Sequence, residues 1–395
     1  MIINRKYSTS WRITPQVRPT APDNLKTRVL RVDCGCAGWY YTTIKISAES
    51  KLLTESWLTP SFQLSRRMMK RIAIEEHCWT EDSRNLTPSL KERPIYSPVQ
   101  NSNLGLDMGK ILIDIDEIRL KSMDEAGIDM QVLLSSIRLE PFLSEGTSIA
   151  RRHNDMLAQI VQRHPTRFSG FASLALYDPE GAALELERAV KDLGLKGGLM
   201  YSNLGVGEYL DNRKYWVVFE KAEHLNIPIY LHPTYPSTDT SKPMSEYPQL
   251  MGPIWGYAAD SGLAAMRLIC SGLFDKCPGL KIILGHLGEA LPFWLWRIDN
   301  RWKKEGIAQN PMFRKLDHEP GYYVKNNFYV TTSGMLSEPA LLCTSLTLGI
   351  DKILFAVDYP WESNREAVEF MEKAPMSDLD REKIYHLNAE KLLAL

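Results

Sequence analysis

Residues 281–303 read KIILGHLGEALPFWLWRIDNRWK and hold one complete unit of the architecture. Residues 281–284 form a short apolar run that stops at Gly285. After Gly285-His286-Leu287-Gly288, residues 289–303 show a helical pattern of apolar and polar positions. A strand leading into a helix is half of the repeat that builds a parallel sheet, because the helix carries the chain back to the edge where the next strand starts.

The unit recurs along the chain. Further apolar runs at 71–76, 130–134, 168–174, 197–201, 227–231, 327–331 and 353–357 alternate with helical patterns at 115–126, 147–164, 179–192, 214–225, 258–274, 337–348 and 365–373. Eight such units predict an α/β fold of the (β/α)8 TIM-barrel type over residues 68–395, for which about 250 residues suffice. An open doubly wound sheet is the competing architecture, but no glycine-rich nucleotide fingerprint follows the first run. Long segments after the first and fifth runs, residues 79–110 and 234–257, leave the strand C-terminal ends, the face that carries barrel active sites.

Composition narrows the function class. The 395 residues include 47 Lys+Arg and 48 Asp+Glu, a formal net charge of −1, which gives no electrostatic basis for a nucleic-acid or acidic-membrane partner. No apolar run approaches the roughly 20 residues of a membrane span. Six cysteines are scattered, and the one close pair, Cys34-Gly-Cys36, lacks both zinc-ribbon spacing and a matching second pair. They read as reduced thiols of a cytoplasmic protein. Residues 1–67 stand apart: up to Val32 there are seven Lys/Arg against one acid, Asp23, and no persistent period. This N-terminal extension reads as a disordered tail or an over-extended gene model, with Met68-Met69 an alternative start. Mitochondrial targeting by residues 1–32 is the competing explanation.

A barrel demands chemistry where its strands run out, and four strand ends supply it. The first ends Glu75-Glu76-His77, where simple alternation puts Glu75 and His77 on one side and Glu76 on the other. The fifth ends Leu231-His232-Pro233, and the sixth leads into His286 between two glycines, with Glu289 three residues on. The eighth ends Val357-Asp358-Tyr359-Pro360-Trp361. Singly, each has an ordinary explanation: a hydrogen-bonded His, a first-turn carboxylate, a helix N-cap. Together, a Glu, two His and an Asp at one mouth make a nitrogen and oxygen site for one divalent ion such as Zn²⁺, Mn²⁺ or Mg²⁺.

The pattern resembles the amidohydrolase superfamily, with the first-strand His-x-His replaced by Glu75-x-His77. More closely, the stretches IAIEEH, MDEAGIDMQVLLSS, YLHP, GHLGEALPFWLWRIDNR, NNFYVTTSG and ILFAVDYPWE resemble the decarboxylases of amidohydrolase family 2, the 2,3-dihydroxybenzoate and γ-resorcylate decarboxylase group. The resemblance implies a barrel of the metal-dependent hydrolase type with one metal held by Glu75, His77, His232 and Asp358. It also implies catalytic roles for Asp358, His286 and Glu289, a substrate-binding Arg297 and a ring-lining Trp361. Two-metal relatives carry a lysine at the end of the fourth strand. Here Lys196 begins that strand and its end reads Met200-Tyr201-Ser202, which implies a mononuclear site.

The implied reaction is the reversible, non-oxidative decarboxylation of an ortho-hydroxy aromatic acid such as 2,3-dihydroxybenzoate, by a homodimer or homotetramer. Asp358 would protonate the ring carbon and must be protonated in the substrate complex, which requires the dry pocket to raise its pKa against the lowering effect of the cation. The carboxyvanillate branch uses an additional arginine ahead of the MDEAGID helix, and residues 94–118 contain none. The alternative is a metal-dependent hydrolase or hydratase of the same superfamily, acting on a lactone or unsaturated acid. Phe293-Trp294-Leu295-Trp296 reads as core or subunit contact, and His153, His164, His224, His318 and His386 carry no role.

Overall fold

Each of the eight apolar runs forms a strand in the computed structural model, which describes residues 69–80, 108–135, 139, 145–205 and 207–395 together with three strands nearer the N-terminus. The barrel strands are Ile72–Cys78, Met130–Ser135, Phe168–Gly170 continued by Ala172–Ser173, Gly198–Tyr201, Pro228–His232, Lys281–Leu284, Phe328–Thr331 and Ile353–Leu354. All neighbouring pairs are parallel and follow chain order.

Two joins complete the ring. The third strand is broken at Phe171, where the sequence predicts one continuous run. The Phe171 N–H nevertheless reaches the Leu133 carbonyl at 3.0 Å and the Ala172 N–H reaches that of Gly197 at 2.8 Å, so the second and fourth strands stay connected through it. At the other join the Ile74 N–H bonds the Phe355 carbonyl at 3.0 Å and the His77 N–H bonds that of Tyr359 at 2.7 Å. The last strand thereby meets the first, and the fold is a (β/α)8 barrel.

Alternation along the strands divides the core in two. Ile72, Ile74, Val132, Leu134, Phe171, Leu199, Tyr230, Ile283 and Leu354 fill the interior, and Ala389, Leu392 and Leu393 join them. Ala73, Leu133, Met200, Ile229, Leu231, Ile282, Leu284 and Val330 point outward into the layer beneath the helices. Each fully buried aliphatic contributes about 1.5–3 kcal/mol. Residues Ala389, Leu392 and Leu393 belong to helix Asn388–Leu393, which closes the strand N-terminal end. There Asn388 Nδ2 donates to the Ile350 and Ile353 carbonyls, and Lys196 Nζ to that of Ala394 at 3.2 Å.

The helices follow the sequence reading, with additions. Asp178 starts Pro179–Lys191 by accepting the Gly181 N–H at 3.0 Å. The helices Pro320–Asn327, Asp378–Glu382 and Asn388–Leu393 were not legible, since a one- to two-turn helix shows too few apolar repeats to register. No described helix is long and apolar enough to cross a membrane.

Within residues 1–65, strands Thr14–Gln16, Thr27–Arg31 and Tyr41–Lys45 pair in that order as an antiparallel sheet. The rest of the N-terminal extension, and with it the expectation of a disordered tail, an over-extended start or a targeting segment, lies outside the described residues. So do residues 81–107 of the segment that follows the first barrel strand.

Candidate metal centre

The first strand changes face at its end. Pairing with the second strand shifts between Ile74 and Glu76, leaving Glu75 as the extra residue of a β-bulge with φ of 110°. Strict alternation would put Ile74 opposite Glu75. The bulge instead lets Ile72 and Ile74 fill the barrel interior while Glu75 and His77 face the mouth above them, with Glu76 turned away.

Strained backbone surrounds this mouth. Among described residues with side chains, Glu75, His286, Leu287, Glu289, Ala290 and Asp358 all have positive φ, between 50° and 110°. Such conformations cost on the order of 1–3 kcal/mol each and persist only where the surroundings impose them. After the sixth strand, the tight path through His286 to Ala290 brings Glu289 Oε1 within 2.8 Å of His286 Nδ1. Gly285 leaves room for the neighbouring acid, since a Cβ there would lie 3.2 Å from both Glu75 oxygens.

Four side chains converge. His77 Nε2 lies 3.2 Å from His232 Nε2 and 3.0 Å from Asp358 Oδ1. His232 Nε2 is 3.6 Å from Glu75 Oε1, and His286 Nε2 is 3.8 Å from Asp358 Oδ2. His232 Nδ1 donates to the Pro233 carbonyl at 2.7 Å, so its Nε2 presents a lone pair to the cluster. Glu75 is fully buried, and its Oε1 meets no hydrogen-bond donor. Glu75, His77 and His232 each offer a ligand atom within 4.8 Å of the others, so these three make a candidate metal site. An orphaned buried carboxylate oxygen and two imidazole nitrogens turned toward one another are what a divalent cation would satisfy.

The electrostatics agree with a neutral imidazole at His232. Burial, with the charge of His77, pushes its pKa down to about 3. Burial raises that of Glu75. Burial also opposes the charge on His286, yet Glu289 and Glu75 hold its pKa well above the usual histidine value. For Asp358, burial favours the neutral form, but His286 and His77 beside it outweigh that and bring its pKa down to about 2.

Trp361 borders the site, its ring centroid 6.4 Å from that of His77, and Tyr201 lies 5.5 Å from the His232 ring. Arg297 is not brought in. It is exposed on helix Leu291–Lys304 and, among the described residues, makes no hydrogen bond or ion pair. On the same helix Phe293 and Trp296 are 73% and 76% exposed, so only Leu295 of that quartet is core.

Sequence reasoning overlooked Thr331 and Ser333 at the end of the seventh strand, both donating to Glu75 Oε2. The hydroxyl run Thr331-Thr332-Ser333 after four strand residues was the available signal. His153, given no role, is buried and bridges Thr80 at 3.4 Å and Ser135 at 3.2 Å.

Gly334 has φ of 57°, and a Cβ there would lie 3.1 Å from His286 Cδ2. Gly334→Ala is therefore expected to displace the imidazole and lower kcat on the order of ten- to a hundred-fold. Bound metal per chain should not change, since His286 is not among the proposed ligands. Steady-state kinetics beside metal analysis checks both, and an unchanged kcat would refute the crowding.

Comparison with known proteins accords with this geometry. A family model described as amidohydrolase matches residues 107–395. The γ-resorcylate decarboxylase of Polaromonas sp. is 39% identical over 342 residues, 83% of this chain and 99% of that protein. A solved 2,6-dihydroxybenzoate decarboxylase in complex with 2,6-dihydroxybenzoate superposes with a TM-score of 0.75 at 34% identity, covering 83% of this chain and 100% of that one. A dihydroxybenzoic acid decarboxylase from Polaromonas sp., solved with manganese and the inhibitor 2-nitroresorcinol, gives 0.74 at 36% identity over 82% of this chain and 97% of that one.

Proposed function

The chain belongs to the amidohydrolase family, and from that premise we propose that it is a metal-dependent carboxy-lyase, removing CO₂ without oxidation from an aromatic acid with a hydroxyl ortho to its carboxylate. The observation that carries this reading is the convergence of Glu75, His77, His232 and Asp358 at the barrel mouth, with the His286–Glu289 pair beside it. The relatives favour 2,6-dihydroxybenzoate as first substrate. Their decarboxylase names stand against a lactone hydrolase or a hydratase.

Direct loss of CO₂ would leave an electron pair in an sp² orbital of the ring carbon. Protonating that carbon first turns the ring into the electron sink. A divalent ion held by Glu75, His77, His232 and Asp358 would supply Lewis acidity toward the ortho oxygen and carboxylate and fix the ring's orientation. Asp358, ionised at rest, takes the ortho hydroxyl's proton as the acid binds and delivers it to the carboxyl-bearing carbon, reached at about 3 Å. The C–C bond then breaks, its electron pair restores aromaticity and CO₂ leaves. His286, kept protonated by Glu289, gives a proton to the phenolate left behind and regains one from solvent. Trp361 flanks the ring. The sequence marked Arg297 for the carboxylate, and its exposed position on this chain leaves that contact without support.

The metal is Mn²⁺ on the strength of the manganese-bound relative, with Zn²⁺ and Mg²⁺ the other ions this donor set suits. A cytoplasmic, homo-oligomeric enzyme is supported by free thiols at Cys78, Cys270, Cys277 and Cys343 and by the exposed aromatics of helix Leu291–Lys304.

The test is CO₂ release by purified protein loaded in turn with Mn²⁺, Zn²⁺ and Mg²⁺, on 2,6-dihydroxybenzoate, 2,3-dihydroxybenzoate, salicylate and 5-carboxyvanillate. Metal-dependent release is expected, fastest from 2,6-dihydroxybenzoate, and concentrated bicarbonate should carboxylate the product phenol. Silence across all four acids with metal bound would overturn the carboxy-lyase.

A further inference from the structure

Between the two metal-facing side chains of the first strand stands a carboxylate aimed the other way. Glu76 is fully buried, its Oε1 accepting the backbone N–H of Val357 at 2.9 Å and its Oε2 that of Tyr359 at 3.2 Å. Those two residues flank Asp358, whose φ is 78°. Gln131 on the second strand donates Nε2–H to Glu76 Oε2 and to Asn364 Oδ1, both at 3.2 Å, and accepts Arg119 Nη1–H at 3.0 Å. Arg119 is itself fully buried, donates Nη2–H to the backbone carbonyl of His77 and lies 4.6 Å over the Tyr359 ring. One continuous buried network thus holds the main chain of His77 by its carbonyl and that of Asp358 by the amides on both sides.

Glu76 and Arg119 are both fully buried, and a buried carboxylate with a buried guanidinium is a costly way to pack a barrel wall. An apolar pair would pack more cheaply but would leave the Val357 and Tyr359 amides without acceptors and Asp358 free to relax from its strained conformation. We propose that Glu76, backed by Gln131 and Arg119, is a positioning residue for the metal centre, setting the separation and aim of His77 and Asp358 through their backbones without touching metal or substrate. This rests on the reading that His77 and Asp358 hold the metal.

Glu76→Gln substitutes, for one acceptor oxygen, an amide nitrogen that cannot accept a backbone N–H. The folded variant is expected to bind Mn²⁺ about 10- to 100-fold more weakly. In the metal-free protein its amides over residues 357–359 should exchange hydrogen faster than in wild type. At saturating Mn²⁺ its kcat should fall at least about ten-fold, with KM within about three-fold. Gln131→Met leaves the backbone bonds of Glu76 in place but cuts its link to Arg119. It should weaken Mn²⁺ binding by about three-fold or more, and it decides the matter if Glu76→Gln does not fold. Wild-type Mn²⁺ affinity in whichever variant decides overturns the positioning role, however much its melting temperature has dropped. His232→Ala run alongside separates the two readings: undiminished Mn²⁺ binding in that variant would sink the metal centre itself, whatever Glu76 does.

Discussion

Asp358→Asn is expected to lower kcat by at least about 10³-fold at saturating metal, about 4 kcal/mol of transition-state stabilisation. The substitution keeps size and shape and retains a carbonyl oxygen facing His77, so the site should still assemble. It removes the ability to take up the ortho hydroxyl's proton and return it to the ring. The low pKa of Asp358 sharpens the expectation, because a carboxylate held ionised by His286 and His77 starts the cycle as a base and becomes an acid only once substrate has arrived. KM should move little by comparison, and metal content should stay above half of wild type. Turnover above a tenth of wild type would remove Asp358 as the proton carrier.

His232→Ala is expected to strip the metal and with it all but background activity. The imidazole is fixed by its Nδ1–H bond to the Pro233 carbonyl, and its Nε2 faces both His77 and Glu75. Truncation leaves Glu75, a fully buried carboxylate, without the imidazole that lies 3.6 Å from its orphaned oxygen. Metal analysis after dialysis should find well under half an ion per chain. A full equivalent of tightly bound metal in this variant would refute the ligand set. Retained activity with the metal gone would refute the dependence on it.

How much of this was legible depends on what a linear pattern can carry. Apolar runs report burial, so all eight barrel strands were readable from 281–284 outward, and Glu75, His77, His232, His286 and Asp358 stood out as polar residues where such runs stop. The Glu289 contact followed from its spacing to His286. The bulge at Glu75 did not, because alternation assumes a regular pleat and a backbone shift leaves no mark on residue type. Thr331 and Ser333 escaped because hydroxyls at a strand end are ordinary turn residues until a buried carboxylate is known to face them. The low pKa of Asp358 before substrate arrives was not legible for a related reason. Burial was foreseen, but the two imidazoles that outweigh it come from distant strands. Arg297 was marked by its sequence context, and only the folded helix reveals that it is exposed and makes no hydrogen bond or ion pair among the described residues.

The seam where the last strand meets the first carries a consequence for biogenesis. Glu76 and the Val357 amide it accepts are 281 residues apart, and Glu75 and Ser333 are 258 apart. Contacts this distant form late, after the loops between them have been closed. On the ribosome, a nascent chain exposes His77 early yet cannot complete the centre until the eighth strand has emerged and docked. Glu75, His77 and His232 alone would offer a truncated product three donors on an open sheet, without the wall that Asp358 completes. Glu75 and His77 on the first strand and Asp358 after the eighth lie at this seam, so the proposed four-residue centre is complete only once the barrel has closed.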